Sequence, residues 1–158
     1  MKKKLLILLT LLIFAPFMVY DKNGNMLWQK DYGGNKADAF SSVALTNDDG
    51  FVAVGYSRSS DIEGIINKGN WDAIIVKYDK DGNMLWQKNY EGNKNDYYRA
   101  VILTKDEGFI AVGCSNSTNI EGITNKGNQD ALIVKYDKDG NQLWQKNWGG
   151  SNLDQFTS

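Results

Sequence analysis

The 158-residue sequence contains no histidine, one cysteine (Cys114) and one proline (Pro16). Without histidine the chain lacks the commonest general base and the commonest transition-metal ligand. A single cysteine supplies neither a disulfide framework nor a thiolate zinc site. The equivalent position one repeat earlier is Tyr56, so a thiol is not required there and Cys114 reads as inert packing. Charge of one sign is lacking too: the formal net charge is −1. Nucleic-acid binding needs a concentrated basic face, which this balance does not provide. No helical periodicity follows residue 20, so there is no helix N-terminus for a glycine-rich phosphate loop to lead into. What is present is 42 % apolar, 23 % charged and 12 % aromatic, the composition of a soluble globular chain rather than a disordered one.

The first nineteen residues differ from the rest. Lys2, Lys3 and Lys4 form a positive start, and Leu5–Val19 is apolar apart from Thr10. That layout reads as a signal peptide or an uncleaved membrane anchor, the apolar stretch being short for a membrane span. No small-residue cleavage site stands out, and Pro16 directly after Ala15 disfavours cleavage there, so the anchor stays open. Either way the expected location is extracytoplasmic, secreted or at the cell surface.

Self-similarity organises everything after the leader. Tyr20-Asp-Lys-Asn-Gly-Asn-Met-Leu-Trp-Gln-Lys30 returns from Tyr78 to Lys88 and again from Tyr136 to Lys146, a period of 58. Aligned without gaps, 39 of 58 positions are identical between 20–77 and 78–135. The organisation is thus 1–19 leader and 20–158 repeats, with units at 20–77 and 78–135 and a partial unit at 136–158. Within a unit, Ala39–Thr46 and Phe51–Tyr56 read as strands joined by a tight turn in which Gly50 supplies the positive-φ residue. Asp72–Tyr78 is a continuous apolar run, as expected of a strand covered on both faces. Asp79–Gly82 is the next turn and Asn83–Tyr90 the fourth strand. The end of the leader aligns with the third strand of a unit and is expected to hairpin with Met26–Tyr32.

The fold class predicted is therefore all-β: tandem four-stranded antiparallel blades of a partial or incomplete β-propeller. Trp28, Trp86 and Trp144 are expected to pack between neighbouring blades, where a large aromatic buries the most surface. Two units plus fragments do not close a ring of four to eight blades. Either the chain is a fragment of a longer array, or copies self-associate to complete a ring.

Three patterns support a family comparison: Thr46-x-Asp48-x-Gly50-Phe51-x-Ala53-x-Gly55-Tyr56-Ser57, Asp72-Ala-x-x-Val-Lys77 and Gly82-Asn-x-x-Trp86-Gln-Lys88. They resemble repeats of large bacterial surface and secreted proteins that are taken to form β-propellers. The resemblance covers nearly all of 20–158, and it implies a propeller fold and an extracytoplasmic location. One departure is that the family's usual double glycine is Asp49-Gly50 and Glu107-Gly108 here. The stretch Asp79-x-x-Gly82-x-x-x-Trp86 is also similar to the signature of quinoprotein-type propellers, from which the packing role of the tryptophan carries over and the quinone does not.

No catalytic residue is assigned. A glycosidase needs two facing carboxylates, whereas Asp and Glu here sit in turns that recur in each unit, and recurrence points to scaffold. The metal candidates are calcium ligands: Asp79 and Asp81, with Asp137 and Asp139, alternate oxygen groups around a glycine as at the start of an EF-hand loop. Tyr90 and Trp148 stand where the closing glutamate belongs, and a hairpin turn wants Asp and Gly for its own backbone. No other cofactor is implied. Loops 57–71 and 115–129 share Ile-Glu-Gly-Ile and Asn-Lys-Gly-Asn, and loops of that length are often binding elements for protein or carbohydrate. Asn116-Ser-Thr118 matches a glycosylation acceptor in one repeat only. The expected function is a non-enzymatic scaffold, adhesion or ligand-binding surface. The alternative is part of a polysaccharide-active or quinone-type propeller enzyme whose catalytic residues lie outside this chain.

Overall fold

In the computed structural model, residues 6–8, 17–21, 23–90 and 92–158 are described. They form eleven strands and no helix: β1 (Leu6–Leu8), β2 (Phe17–Tyr20), β3 (Met26–Lys30), β4 (Asp38–Leu45), β5 (Phe51–Ser57), β6 (Asp72–Tyr78), β7 (Met84–Tyr90), β8 (Asp96–Leu103), β9 (Phe109–Ser115), β10 (Asp130–Tyr136) and β11 (Gln142–Trp148). The strands pair antiparallel in three sheets, β1-β2-β3, β4-β5-β6-β7 and β8-β9-β10-β11. The protein is thus all-β, with two complete four-stranded sheets in tandem, consistent with propeller-like blades. Most of the leader lies outside the described residues, but its end does hairpin: Phe17 pairs with Lys30 and Val19 with Trp28. Among the described residues no helix is long and apolar enough to cross a membrane.

Backbone pairing sets the phase of the repeat. A unit beginning at Tyr20 runs through the last strand of one sheet and the first three of the next, whereas the sheets themselves span 38–90 and 96–148. The period is unchanged; only the starting point moves.

The apolar runs are explained by burial on both sides. Successive side chains of a strand point to opposite faces. In the second sheet, Phe51, Ala53, Val76 and Tyr78 face the first sheet and pack with Val19, Trp28 and Tyr32. Their neighbours Val52, Val54, Ala73 and Ile75 face the third sheet and pack with Tyr98, Phe109, Ala111, Leu132, Val134 and Tyr136. All seven residues of β6 are buried. Each Ile or Val so buried contributes roughly 1.5–3 kcal/mol. A charge at Ile75 would therefore disrupt the joint between the sheets.

The tryptophans sit where expected in two of three repeats. Trp28 stacks on Phe51 at 5.8 Å and lies over Gly82 of the next turn; Trp86 lies 6.0 Å from Phe109 and over Gly140. Among the described residues no further sheet follows Trp144, which is 41 % exposed, and Trp148 is 78 % exposed where its counterpart Tyr90 is 4 %.

One turn differs from expectation. The positive φ in the β4–β5 and β8–β9 turns belongs to Asp49 and Glu107, both at 62°, not to Gly50 or Gly108. The glycines serve close approach instead: a Cβ on Gly50 would lie 2.4 Å from the Tyr78 carbonyl oxygen and 2.7 Å from the Lys77 ammonium. Asp49 and Glu107 therefore carry a conformation that the double glycine of similar repeats would relieve.

Candidate functional site: a cleft where the repeat breaks

The recurring motif residues turn out to be engaged with one another. Asp72 accepts from the Lys68 and Gly69 amides at 3.0 and 3.1 Å and from Asn89 at 3.1 Å, closing loop 57–71; Asp130 holds loop 115–129 similarly through Lys126 and Asn147. Gln87 and Asn89 of β7 donate to the Glu63 and Ile66 carbonyls, while Ile65 and Ile123 anchor the two loops in the core. Buried Lys77 reaches Asp48 at 2.9 Å and the Tyr78 carbonyl at 3.0 Å, and Lys135 reaches Asp106 at 2.8 Å. The loop clasps and the Lys–Asp pair are repeated from sheet to sheet.

The calcium candidates fall in the same group. Asp79 Oδ1 accepts from the Asp81 and Asn83 amides at 2.9 and 2.8 Å, and Oδ2 accepts from the Asn83 side chain at 2.9 Å. Asp137 repeats this with Asp139 and Asn141. Both carboxyls are drawn below the ordinary range, chiefly by the Asn83 and Asn141 side chains. Asp81 and Asp139 turn outward to Lys80 and Lys138. Each pair thus makes a hydrogen-bonded hairpin turn, and among the described residues no three acidic, cysteine or histidine side chains gather at one point. The glycosylation candidate Asn116 spends its side-chain amide on the Asn128 carbonyl.

Another repeated device holds the opposite ends of the sheets. Asp38 accepts from Ser57, from Ser59 at 2.7 Å and from the Gly34 amide at 2.9 Å. Asp96 accepts from Ser115 and, at 2.8 Å, from Ser117. Burial pushes the Asp96 carboxyl up to about 6, against the two serine hydroxyls, with Asp72 adding to the rise and the Gly92 amide opposing it. Because the same carboxylate–serine set stands in both sheets, it is a joint of the scaffold.

The feature that does not repeat lies beside it. Tyr56 on β5, Trp71 just before β6, and Tyr97 and Arg99 on β8 line a cleft of about 270 Å³ with Ala39 and Asp38. Tyr56 stands edge-on to Trp71 and to Tyr97, at 5.1 Å and interplanar angles of 83° and 79°. The Arg58 guanidinium lies 5.0 Å above Trp71; that of Arg99 lies 5.0 Å from Tyr97 and 5.7 Å from Tyr56. Burial raises the Tyr97 phenol above its ordinary value, so it stays neutral at physiological pH. The two sheets meet here because β8 packs across β4, β5 and β6. A β-bulge aims Arg99: pairing of β8 with β9 skips a residue between Tyr98 and Ala100.

Sequence reasoning from recurring motifs assigned none of these five residues individually to a site, although loop 57–71, which carries Arg58 and Trp71, was expected as a binding element. Their signal was the breaking of the repeat. Tyr56, Arg58 and Trp71 become Cys114, Asn116 and Gln129 one period later, Tyr97 and Arg99 replace Ala39 and Ser41, and the chain has no other arginine. Loop 57–71, expected as a binding element, contributes Arg58 and Trp71 from its two ends. Loop 115–129 has Asn116 and Gln129 there and forms no such corner. A larger cleft of about 370 Å³ at the other end of the sheets is built from Thr46, Asp48, Lys77, Trp86 and Phe109, residues already committed to the repeated scaffold.

The sheets and this cleft define a class, a tandem β-sheet repeat with a propeller-like arrangement and one irregular inter-sheet site. No family model matches the chain. It is 23 % identical over 150 residues to an uncharacterized WD repeat-containing protein of Acanthamoeba polyphaga mimivirus, the match covering 82 % of this chain and 11 % of that protein's length. That likeness supports a repeat, propeller-like fold. A crystal structure of a protein of unknown function from Bacteroides caccae matches with a TM-score of 0.32 and 10 % identity, over 97 % of this chain and 61 % of that one; at that score it carries no argument.

Proposed function

We propose that the chain is a non-enzymatic, extracytoplasmic repeat scaffold that holds a small ligand group in the cleft between the second and third sheets. The observation that carries this reading is the coincidence of the cleft with the positions where the repeat breaks. Residues that only join one sheet to the next recur; a ligand site on a repeat scaffold is made by departures from it. The chemistry in the cleft is that of holding rather than turning over. Asp38 is occupied by Ser57, Ser59 and Gly34, and arginine neither gives up nor takes a proton near neutrality. The extracytoplasmic part of the reading rests on the lysine-led apolar leader and on the resemblance to bacterial surface repeats.

The test compares the full-length protein with a Trp71→Gln variant on an array of neutral and acidic saccharides and peptides. Gln129 occupies the equivalent position in the next repeat, so the substitution is compatible with the fold. A ligand retained by the native protein and lost by the variant, with an unchanged melting transition, is the expected result. Identical binding profiles for the two proteins would overturn the assignment of the cleft.

A further inference from the structure

The geometry points to a carboxylated sugar residue as the group that this cleft holds, its carboxylate taken by Arg99 and its C–H face resting on the aromatic corner. The inference rests on the ligand-binding reading above and names the chemistry of the same site.

Three observations lead to it. First, both guanidinium groups lie against rings, 5.0 Å from Trp71 and from Tyr97. A guanidinium held over a ring face by cation–π attraction keeps N–H donors for an oxyanion. Arg99 also lies near the buried Cys114 thiol, where its charge opposes the rise that burial imposes on that group. Among the described residues, neither arginine has a carboxylate within ion-pairing distance. The carboxylate that lines the cleft, Asp38, is held by Ser57, Ser59 and Gly34, so an anion placed at Arg99 meets a cation with no ion-pair partner among the described residues.

Second, the rings are arranged as a corner and not a flat platform. Tyr56 stands nearly perpendicular to Trp71 and Tyr97, while those two are tilted by 39° at 6.2 Å. A corner offers a ring face on one side and ring edges on the other. That suits a thick, saturated ring with an apolar face and a polar rim better than a flat aromatic group, which would need parallel walls. Third, the cleft of about 270 Å³ lies just below the roughly 300–1,000 Å³ of small-ligand sites. It takes one sugar ring rather than a folded element of a protein. An acidic peptide would satisfy the arginines but leave the corner unfilled, because Asp and Glu side chains are narrow and flexible.

The test is calorimetric titration of the full-length protein with trigalacturonate, its fully methyl-esterified form, neutral galactotriose and hexaglutamate. Trigalacturonate is expected to bind saturably and to weaken with added salt. Esterification, which removes the charge and keeps the shape, should weaken binding about 10- to 100-fold, as loss of charge-assisted hydrogen bonds does. Arg99→Gln should show a loss of similar size and Arg99→Lys a smaller one, since lysine keeps the charge without the fork. Because Arg99 lies near buried Cys114, the melting transition of each variant is measured alongside; a loss of affinity with an intact transition supports the site.

Equal affinity for acid and ester, or tighter binding of hexaglutamate than of trigalacturonate, overturns the inference. Neutral saccharide binding that depends on Trp71 would leave the ligand-binding cleft standing while removing the carboxylate. If no probe responds to Trp71→Gln, both the inference and the reading beneath it fail.

Discussion

Replacing Gly140 by alanine isolates the contact on which tandem packing depends. Gly140 has φ +80° and lies directly under the Trp86 ring: an added Cβ would come within 2.9 Å of its Cε3 and 3.0 Å of its Cδ2. Two costs follow. A left-handed backbone disfavours any Cβ by about 1–2 kcal/mol. The ring must also shift by several tenths of an ångström away from the turn and into Phe109, and overpacking of that kind costs about 1–3 kcal/mol. The sum is about 2–5 kcal/mol. Gly122 provides the control, having φ +74° and no atom within 4 Å of the place an added Cβ would take. Gly122→Ala should therefore show only the backbone cost. Urea denaturation followed by tryptophan fluorescence gives both values from the shift in midpoint at constant slope. The difference should shrink when Trp86 is first replaced by alanine, as a double-mutant cycle would read it. If Gly140→Ala falls within about 0.5 kcal/mol of Gly122→Ala, the ring is not seated on that glycine and the account of how successive sheets join is wrong. Gly82→Ala repeats the experiment one joint earlier, under Trp28.

The buried carboxylate of Asp96 predicts a pH dependence of known sign. Its folded pKa of about 6 lies above the unfolded value of about 3.9, so the folded state binds the extra proton and stability falls as pH rises from about 4 to about 6. The fall should be of order 2–3 kcal/mol and should vanish in Asp96→Asn, while a wild-type profile flat across that window refutes it. Asp48 acts in the opposite sense and below that window: slight burial is outweighed by Thr46, Lys77 and Gly50, holding it at about 2, so its contribution is lost only as pH drops below about 4. Glu107→Gly relieves the left-handed backbone at φ 62° and should stabilise the fold by about 0.5–1 kcal/mol in thermal or urea melts; a destabilised variant would contradict the strain. Millimolar calcium should leave the melting temperature unchanged, because Asp79 and Asp137 are committed to their turns; a calcium-dependent rise would make the turns ligand sites after all. The outer face of the third sheet, where Trp148 is exposed, matches a face that in the second sheet is covered by a copy of the same repeat. Sedimentation should accordingly show association of the full-length protein that Trp148→Asp abolishes, and a monomer at every concentration would exclude it.

The scaffold was legible because its determinants are local and stated more than once. A continuous apolar run such as Ile74-Ile75-Val76 needs cover on both faces, and the cover proved to be a neighbouring sheet on each side. The turn at Asp79–Gly82 is closed by its own side chains, so the residues that form it are the residues that predict it. Trp28 and Trp86 were expected between sheets and lie there. The β4–β5 turn was misread at one residue for a steric reason: Gly50 looks like a residue chosen for its φ, but its neighbours Tyr78 and Lys77 leave no room for a Cβ, and the unusual φ passes to Asp49.

The cleft could not be read in the same way, since its parts lie far apart in sequence and, Tyr56 apart, none falls in a recurring motif. Tyr56 and Tyr97 are 41 positions apart, and they meet only because β8 crosses the second sheet. Arg99 reaches them only because a bulge turns it there. By itself the sequence determined the period, the strands and the turns, because each depends on neighbours within a few residues and every repeat restates them. Tertiary structure alone decided which departures from the repeat would stand together, since that depends on how one sheet is laid against the next.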